Sequence, residues 1–401
     1  MSKKILLLAN ECYPQISVGG LGKFIAGISR GLRQNGWQVK LFIRQPTDQI
    51  YFPYWTDRCQ QTSRQLAQEA IDWCGKNSWR PDWFWVNDFE GVYQAEYWKR
   101  VGPATKILWT IHSPLTLAAN YGYGYPEAPV DWSNDFFDFS SFIKRGITNT
   151  DLISTVSTSY ARNLRRTVLF PNTPIIGINN GIDKKEWTAV VNKKISKFII
   201  QAKFGLSQKE VPVFVFVSRL VYQKGVGELI KVLPAFLAKN DVQFIVVGDG
   251  NNSFKEKLAR LKSDFPTQIG LHLKSDFSLP HQVFAGADYL VLPSLSEPFG
   301  IVVAEGRQAG VIPIVRAVDG LVDQVKDGVN GLSFTGNGIL PKLNQAVKIW
   351  QTSWWQRASD DGRNFAQDWQ IVAKGYDQLL SGFDYQGNTP CRRIKKTLFF
   401  S

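Results

Sequence analysis

The sequence predicts an α/β protein of two doubly wound domains, each built on a parallel sheet. Apolar runs of strand length recur along nearly the whole chain, and helix-compatible segments separate them, the pattern of repeated βα units. Polar or glycine-bearing turns follow several of these runs, at the carboxyl strand ends where open α/β sheets bind ligands. The 401 residues suffice for two separate cores.

Ile5 to Leu8 is the first strand, ending in Asn10-Glu11-Cys12-Tyr13-Pro14. Lys3-Lys4 precedes it as in a signal peptide, but the apolar part is short and Glu11 follows, so a buried strand is expected. The loop Val18-Gly19-Gly20-Leu21-Gly22 leads into an amphipathic helix to about Asn35, stopped by Gly36. Without side chains, Gly19 and Gly20 let backbone amides approach a phosphate or sugar, although the spacing is not GxGxxG. Strands are expected at Gln38–Ile43, Asp82–Val86 and Ile107–Ile111, the last two ending in Asn87-Asp88 and His112-Ser113-Pro114. Alone, Asp88 reads equally as a loop-capping acid and His112 as a structural hydrogen-bond partner. Leu152–Ser157 and Ile175–Ile178 continue the series into Asn179-Asn180-Gly181-Ile182-Asp183.

The pattern then changes to a lysine-bearing helix, Asn192 to Phe204, closed by Gly205, which marks the crossing between domains. Strands follow at Val213–Val217, Gln243–Val247, Gly270–Leu273 and Tyr289–Leu292, with Ile312–Val315 as the last. A closing amphipathic helix spans Phe365 to Leu380, and a basic tail with an aromatic end runs through Cys391 to Phe400. The expected division is residues 1–190 and 191–365, then the helix at 366–382 packing back toward the first domain, then the tail at 383–401. That tail admits peripheral contact with an anionic membrane, though a docked or frayed end explains it as well.

A net charge of +13 favours anionic partners, and no RNA- or DNA-binding motif accompanies it, so nucleic acid is not expected. The longest apolar runs fall well short of the roughly 18 residues that span a bilayer. Four scattered cysteines without CxxC spacing read as reduced cytoplasmic thiols, neither a disulfide frame nor a metal site.

Two stretches of the second half carry chemistry. Ser218-Arg219-Leu220-Val221-Tyr222-Gln223-Lys224-Gly225 places two cations at a strand end, able to converge on one diphosphate. Ser294-Leu295-Ser296-Glu297-Pro298-Phe299-Gly300 is a sharp loop after a buried strand, and Ile301 to Gln308 is the helix after it. Amides at its start suit an anion, and Glu297 and Glu305 are two acids on either side of the turn. Gly248-Asp249-Gly250 leaves room for a nucleobase.

The Glu297 to Glu305 arrangement resembles the E-x7-E motif of retaining GT-B glycosyltransferases. With Arg219 to Gly225, Gly248 and the Gly19-Gly20 entry, it resembles families 4 and 5, the latter being the glycogen and starch synthases. Asn87-Asp88, Thr110-Ile111-His112, Asn180-Gly181-Ile182-Asp183 through Trp187, and Pro313-Ile314-Val315-Arg316-Ala317 through Gly320-Leu321 lean toward the synthases. The similarity extends to about Gly382. It implies a GT-B fold of two Rossmann-like domains with an interdomain cleft, and transfer of a sugar, glucose foremost, from a UDP- or ADP-sugar. The implied acceptor is a carbohydrate or small molecule, anomeric configuration is retained, and no cofactor or metal is needed.

Carried onto this chain, Arg219 and Lys224 would hold the diphosphate, and Glu297 the sugar hydroxyls with Phe299, Gly300 and Ile301 alongside. Glu305 would take the ribose, His112 the sugar from the other domain, and Asp88 would lie near the acceptor. Gly19 and Gly20 would approach the donor, and Gly248 would lie at the base. The departures are Ser17 where the synthases carry a lysine, Phe299 where they carry a cysteine, and a second glutamate their lineage usually lacks. The alternatives are a family 4 transferase for a small or lipid acceptor, a GT-B sugar-nucleotide epimerase, and a non-catalytic sugar-nucleotide-binding protein.

Overall fold

The computed structural model describes residues 3–13, 19–44, 57–115, 139–187 and 192–383, with backbone alone at 57–59 and 139. Ser17, the aromatic stretch at 121–125 and the basic tail from 384 onward lie outside these residues. The chain divides into two compact units, Met1–Ile182 with Gln367–Ser401, and Asp183–Ala366. The first crossing thus falls after Ile182, where the sequence reading placed it after residue 190.

The first unit is organised by a six-stranded parallel sheet in the order β2-β1-β3-β4-β5-β6. Its strands are β1 Lys4–Ala9, β2 Gln38–Ile43, β3 Trp83–Asn87, β4 Lys106–Ile111, β5 Leu152–Thr155 and β6 Ile175–Gly177. Apart from the edge strands β2 and β6, these strands are mostly buried, and helices lie between them in sequence, hence the continuous apolar runs. Ser157, expected to end β5, instead caps the next helix by accepting from the Tyr160 amide. Trp83 and Trp85 are core: both are buried, and the Trp85 indole donates to Thr110 Oγ1 at 2.7 Å.

The closing helix is Trp369–Ser381, a separate element from the helix Ser353–Phe365 that ends where the sequence reading began it. Asp368 starts it by accepting from the Gln370 amide. It packs on the helix Gly20–Gln34, with Trp369 edge-on to Phe24 and Tyr376 against Trp85. Ile182 donates its amide to the Gln367 carbonyl at 2.9 Å, so the points where the chain leaves and re-enters this unit are tied together.

The second unit holds another six-stranded parallel sheet, ordered β12-β11-β10-β7-β8-β9. The strands are β7 Val213–Val217, β8 Gln243–Val247, β9 Ile269–His272, β10 Tyr289–Leu292, β11 Ile312–Arg316 and β12 Leu332–Phe334. The sequence reading stopped at β11. β12 is a three-residue edge strand, too short to show periodicity, and pairs with β11 from Ile314 to Arg316. At the helix Lys193–Lys203, the Asn192 side chain accepts from the Ile195 amide and Gly205 stands at φ +67 just beyond the end.

Candidate active site

In the second unit the carboxyl ends of β7 and β10, adjacent strands, build one site. After β7 a 3-10 turn, Tyr222–Lys224, ends in Gly225 at φ +70. A Cβ there would lie 2.2 Å from the Pro293 carbonyl, so only glycine lets this turn approach the end of β10. The two loops are laced by the Leu295 amide donating to the Gln223 carbonyl at 2.8 Å and the Gln223 side chain donating to the Ser296 carbonyl at 2.9 Å. Lys224 is thereby held against Glu297, Nζ to Oε2 at 2.5 Å, both largely buried. Ser294 Oγ donates to the same carboxylate oxygen at 3.2 Å. Among the described residues Oε1 carries no hydrogen bond, so one lone-pair-rich oxygen remains to accept from a hydroxyl.

Pro298 and Gly300 end the loop, Gly300 at φ +87, and the helix Ile301–Gln308 begins at the next residue. Phe299 and Glu305 are buried, Glu305 inside that helix. Arg219 is exposed and makes no ion pair among the described residues, leaving its guanidinium open to an anion. Its neighbour Leu220 is pinned by donating to the Asp249 carbonyl at 2.7 Å. Lys224 is therefore paired with Glu297, while Arg219 stands apart at the strand end. Gly248, just past β8, is under a steric constraint. A Cβ would sit 1.9 Å from the Ser218 carbonyl, so its missing side chain makes room for the neighbouring strand end.

In the first unit a second polar row lies along the carboxyl ends of the adjacent strands β1, β3 and β4. Asp88, at φ +56, accepts from the Ser113 amide at 2.9 Å, the Ser113 hydroxyl at 2.8 Å and the His112 amide at 3.2 Å. Trp109 Nε1 donates to the Asp88 carbonyl at 2.7 Å. Burial pushes the Asp88 carboxyl up to about 6 against those hydrogen bonds, with the Glu11 charge adding to the rise. Glu90, which the sequence reading did not single out, is pushed up to about 7 by burial and then by Asp88. Gly19 is exposed and its amide donates to Glu11 Oε2 at 3.2 Å; Gly20 begins the helix beside it.

His112 Nε2 lies 3.0 Å from Asn87 Oδ1, and Asn87 Nδ2 donates to the Leu8 carbonyl at 3.0 Å. The Asn87 oxygen must then accept, which puts the ring proton on Nε2 and leaves Nδ1 as an acceptor. Phe24 meets the ring edge-on at 4.7 Å. Loss of solvent pushes the imidazole down to about 3, so it is neutral at working pH.

A pH dependence follows. The unfolded chain protonates His112 near 6.5 while the folded one refuses the proton until about 3, so this residue's stability contribution declines as pH falls through that window. Asp88 and Glu90, raised from 3.8 and 4.5, act with opposite sign, their contribution growing as pH falls from about 7 toward 4. Thermal melts of wild type and His112→Gln between pH 3 and pH 7 are expected to diverge in slope, wild type losing stability faster on acidification. Parallel profiles would contradict the neutral ring.

The architecture is that of the GT-B glycosyltransferases. The catalytic domain of starch synthase IV from Arabidopsis thaliana, bound to ADP and acarbose, matches with a TM-score of 0.77 over 95% of this chain and 99% of that one, at 20% identity. A family model described as glycosyl transferases group 1 matches residues 198–351, and the Glycosyltransferase Family 4 model matches residues 18–186. Glycogen synthase from Finegoldia magna is 30% identical over 336 residues, covering 74% of this chain and 71% of its own. The Myxococcus xanthus glycogen synthase is 36% identical over 236 residues, 51% of this chain and 47% of its own. The chain belongs to the glycogen synthase family, although it spans only about half the length of the Myxococcus relative.

Proposed function

We propose that this chain is a retaining glycosyltransferase that moves glucose from a nucleotide-diphosphate sugar to a carbohydrate acceptor. The observation that carries the reading is the Lys224–Glu297 pair at the carboxyl edge of the second sheet, with one carboxylate oxygen uncommitted. Lys224 and the exposed Arg219 neutralise the diphosphate and the charge that grows on it as the bond to the sugar breaks. Glu297 Oε1 accepts from a sugar hydroxyl, and Glu305 is assigned to the ribose. On the first unit, Nδ1 of neutral His112 accepts from a further hydroxyl, and Asp88 and Glu90 serve acceptor recognition.

The bond between the anomeric carbon and the phosphate oxygen breaks as the acceptor oxygen bonds to that carbon from the same face. The acceptor proton passes to the departing phosphate, which makes a protein general base unnecessary. No metal is assigned a role. Among the described residues no helix is long and apolar enough to cross a membrane, and the buried free thiols Cys12 and Cys74 fit a reducing compartment. A cytoplasmic enzyme is the corresponding proposal.

The Family 4 match over residues 18–186 favours a second reading, the same donor chemistry with a small or lipid acceptor. Purified protein incubated with UDP-, ADP- and GDP-sugars, with and without maltooligosaccharides and EDTA, decides among these. The expected result is nucleotide release from one glucose donor, enhanced by oligosaccharide and unchanged by EDTA. Release indifferent to oligosaccharide supports the second reading, and silence with every donor overturns both.

A further inference from the structure

The loop bearing Glu297 is held from behind by the segment after β11. Asp319 Oδ2 accepts from Ser296 Oγ at 2.5 Å and from the Glu297 amide at 3.1 Å, and the Gly320 amide donates to the Glu297 carbonyl at 3.0 Å. Gln324 Nε2 donates to the Phe299 carbonyl at 2.5 Å and the Gly300 carbonyl at 3.2 Å. Gln324 is itself fixed, because its backbone carbonyl accepts from Arg307, a fully buried guanidinium stacked 3.7 Å from the Phe365 ring. The backbone carbonyls of Ser296, Glu297, Phe299 and Gly300 are thus each tied to a named partner, Gln223 supplying the one at Ser296.

Two features of this brace work against folding. Asp319 is a non-glycine residue at φ +40, a backbone conformation that L side chains rarely adopt. Gln324 Oε1 is buried without a hydrogen-bond partner. Both costs are borne by side chains whose polar atoms hold the loop that carries Glu297. The geometry accounts for the side chains that are present. Within a trans peptide the N–H points opposite the C=O, so drawing the Phe299 and Gly300 carbonyls to Gln324 turns the Gly300 and Ile301 amides the other way. Asp319, at the other end, sets the position of the Glu297 backbone from which the carboxylate extends.

We propose that Asp319 and Gln324 are positioning residues of the donor site, fixing the Glu297 carboxylate and aiming the Gly300 and Ile301 amides at the sugar and phosphate. This rests on the donor assignment made above. Asp319→Gly relieves the backbone but leaves Ser296 Oγ and the Glu297 amide without their acceptor. Gln324→Leu removes the two donated bonds together with the orphaned oxygen. Both variants are expected to melt within a few degrees of wild type or above it, while kcat/KM for the donor falls about 10- to 100-fold. Asp319→Asn keeps an acceptor and tolerates the left-handed backbone, and is expected to restore activity to within a few-fold of wild type. Amide exchange at Glu297, read without any donor, is expected to speed up in Asp319→Gly and stay slow in Asp319→Asn.

Kinetic constants of Asp319→Gly and Gln324→Leu within twofold of wild type would overturn the proposal. So would a fall in melting temperature with kinetics intact, which marks a structural role only. If wild type itself releases no nucleotide, the donor assignment fails and the positioning role falls with it, whatever the exchange shows. An active wild type with indifferent variants separates failure of the brace from failure of the donor assignment.

Discussion

Lys224→Ala is expected to lower nucleotide release by about 10²–10³-fold, the usual result of deleting one preorganised electrostatic group from an active site. The structure adds a complication that the kinetics must be read against. Lys224 and Glu297 are both largely buried and in contact, so removing the cation strands a carboxylate, at a cost of about 3–5 kcal/mol at most. Melting curves should therefore accompany the rates. The double variant Lys224→Ala with Glu297→Ala is expected to recover part of the lost stability while remaining inactive. Recovery of stability together with activity, or near-normal turnover in a folded Lys224→Ala protein, would remove Lys224 from the mechanism.

Glu297→Ala is expected to act mainly on sugar recognition. A hydrogen bond to a charged group is worth about 1.5–3 kcal/mol, so donor affinity should fall roughly 10- to 100-fold. Free nucleotide diphosphate lacks the sugar and should bind the variant nearly as well as wild type once the effect of unpaired Lys224 is allowed for. Glu297→Gln sharpens the test because the amide keeps one acceptor oxygen but ends the ion pair. Calorimetric titration of sugar nucleotide and plain nucleotide into both variants gives the comparison. Equal losses for the two ligands would show that Glu297 acts through Lys224 and makes no contact of its own with the sugar.

Much of the fold was legible because both sheets are parallel and mostly buried on both faces, so their strands read as unbroken apolar runs. β12 escaped notice because Leu332-Ser333-Phe334 is too short for any period and sits among glycines. The reading began the closing helix at Phe365 because neither glycine nor proline separates Phe365 from Trp369, and only the cap at Asp368 marks where it starts. At the site, Lys224 and Glu297 were legible from local punctuation, a strand end, a tight turn and a helix start. Their contact joins residues 73 apart, and the braces from Asp319 and Gln324 join residues 22 to 25 apart, none of which periodicity reports. Glu90 stayed hidden for another reason. An acid at a helix start is so common that only its burial beside Asp88 sets it apart.

The tie between Ile182 and Gln367 has a consequence for the order in which the protein matures during synthesis. Asp183–Ala366 is one uninterrupted stretch that can close on itself as soon as it leaves the ribosome. The unit begun before it must wait, because Trp369 and Tyr376, which fill its core against Phe24 and Trp85, are translated only after residue 366. A nascent chain halted before residue 367 would carry a closed Asp183–Ala366 unit behind a still-open preceding one, so of the two units the one begun first is completed second.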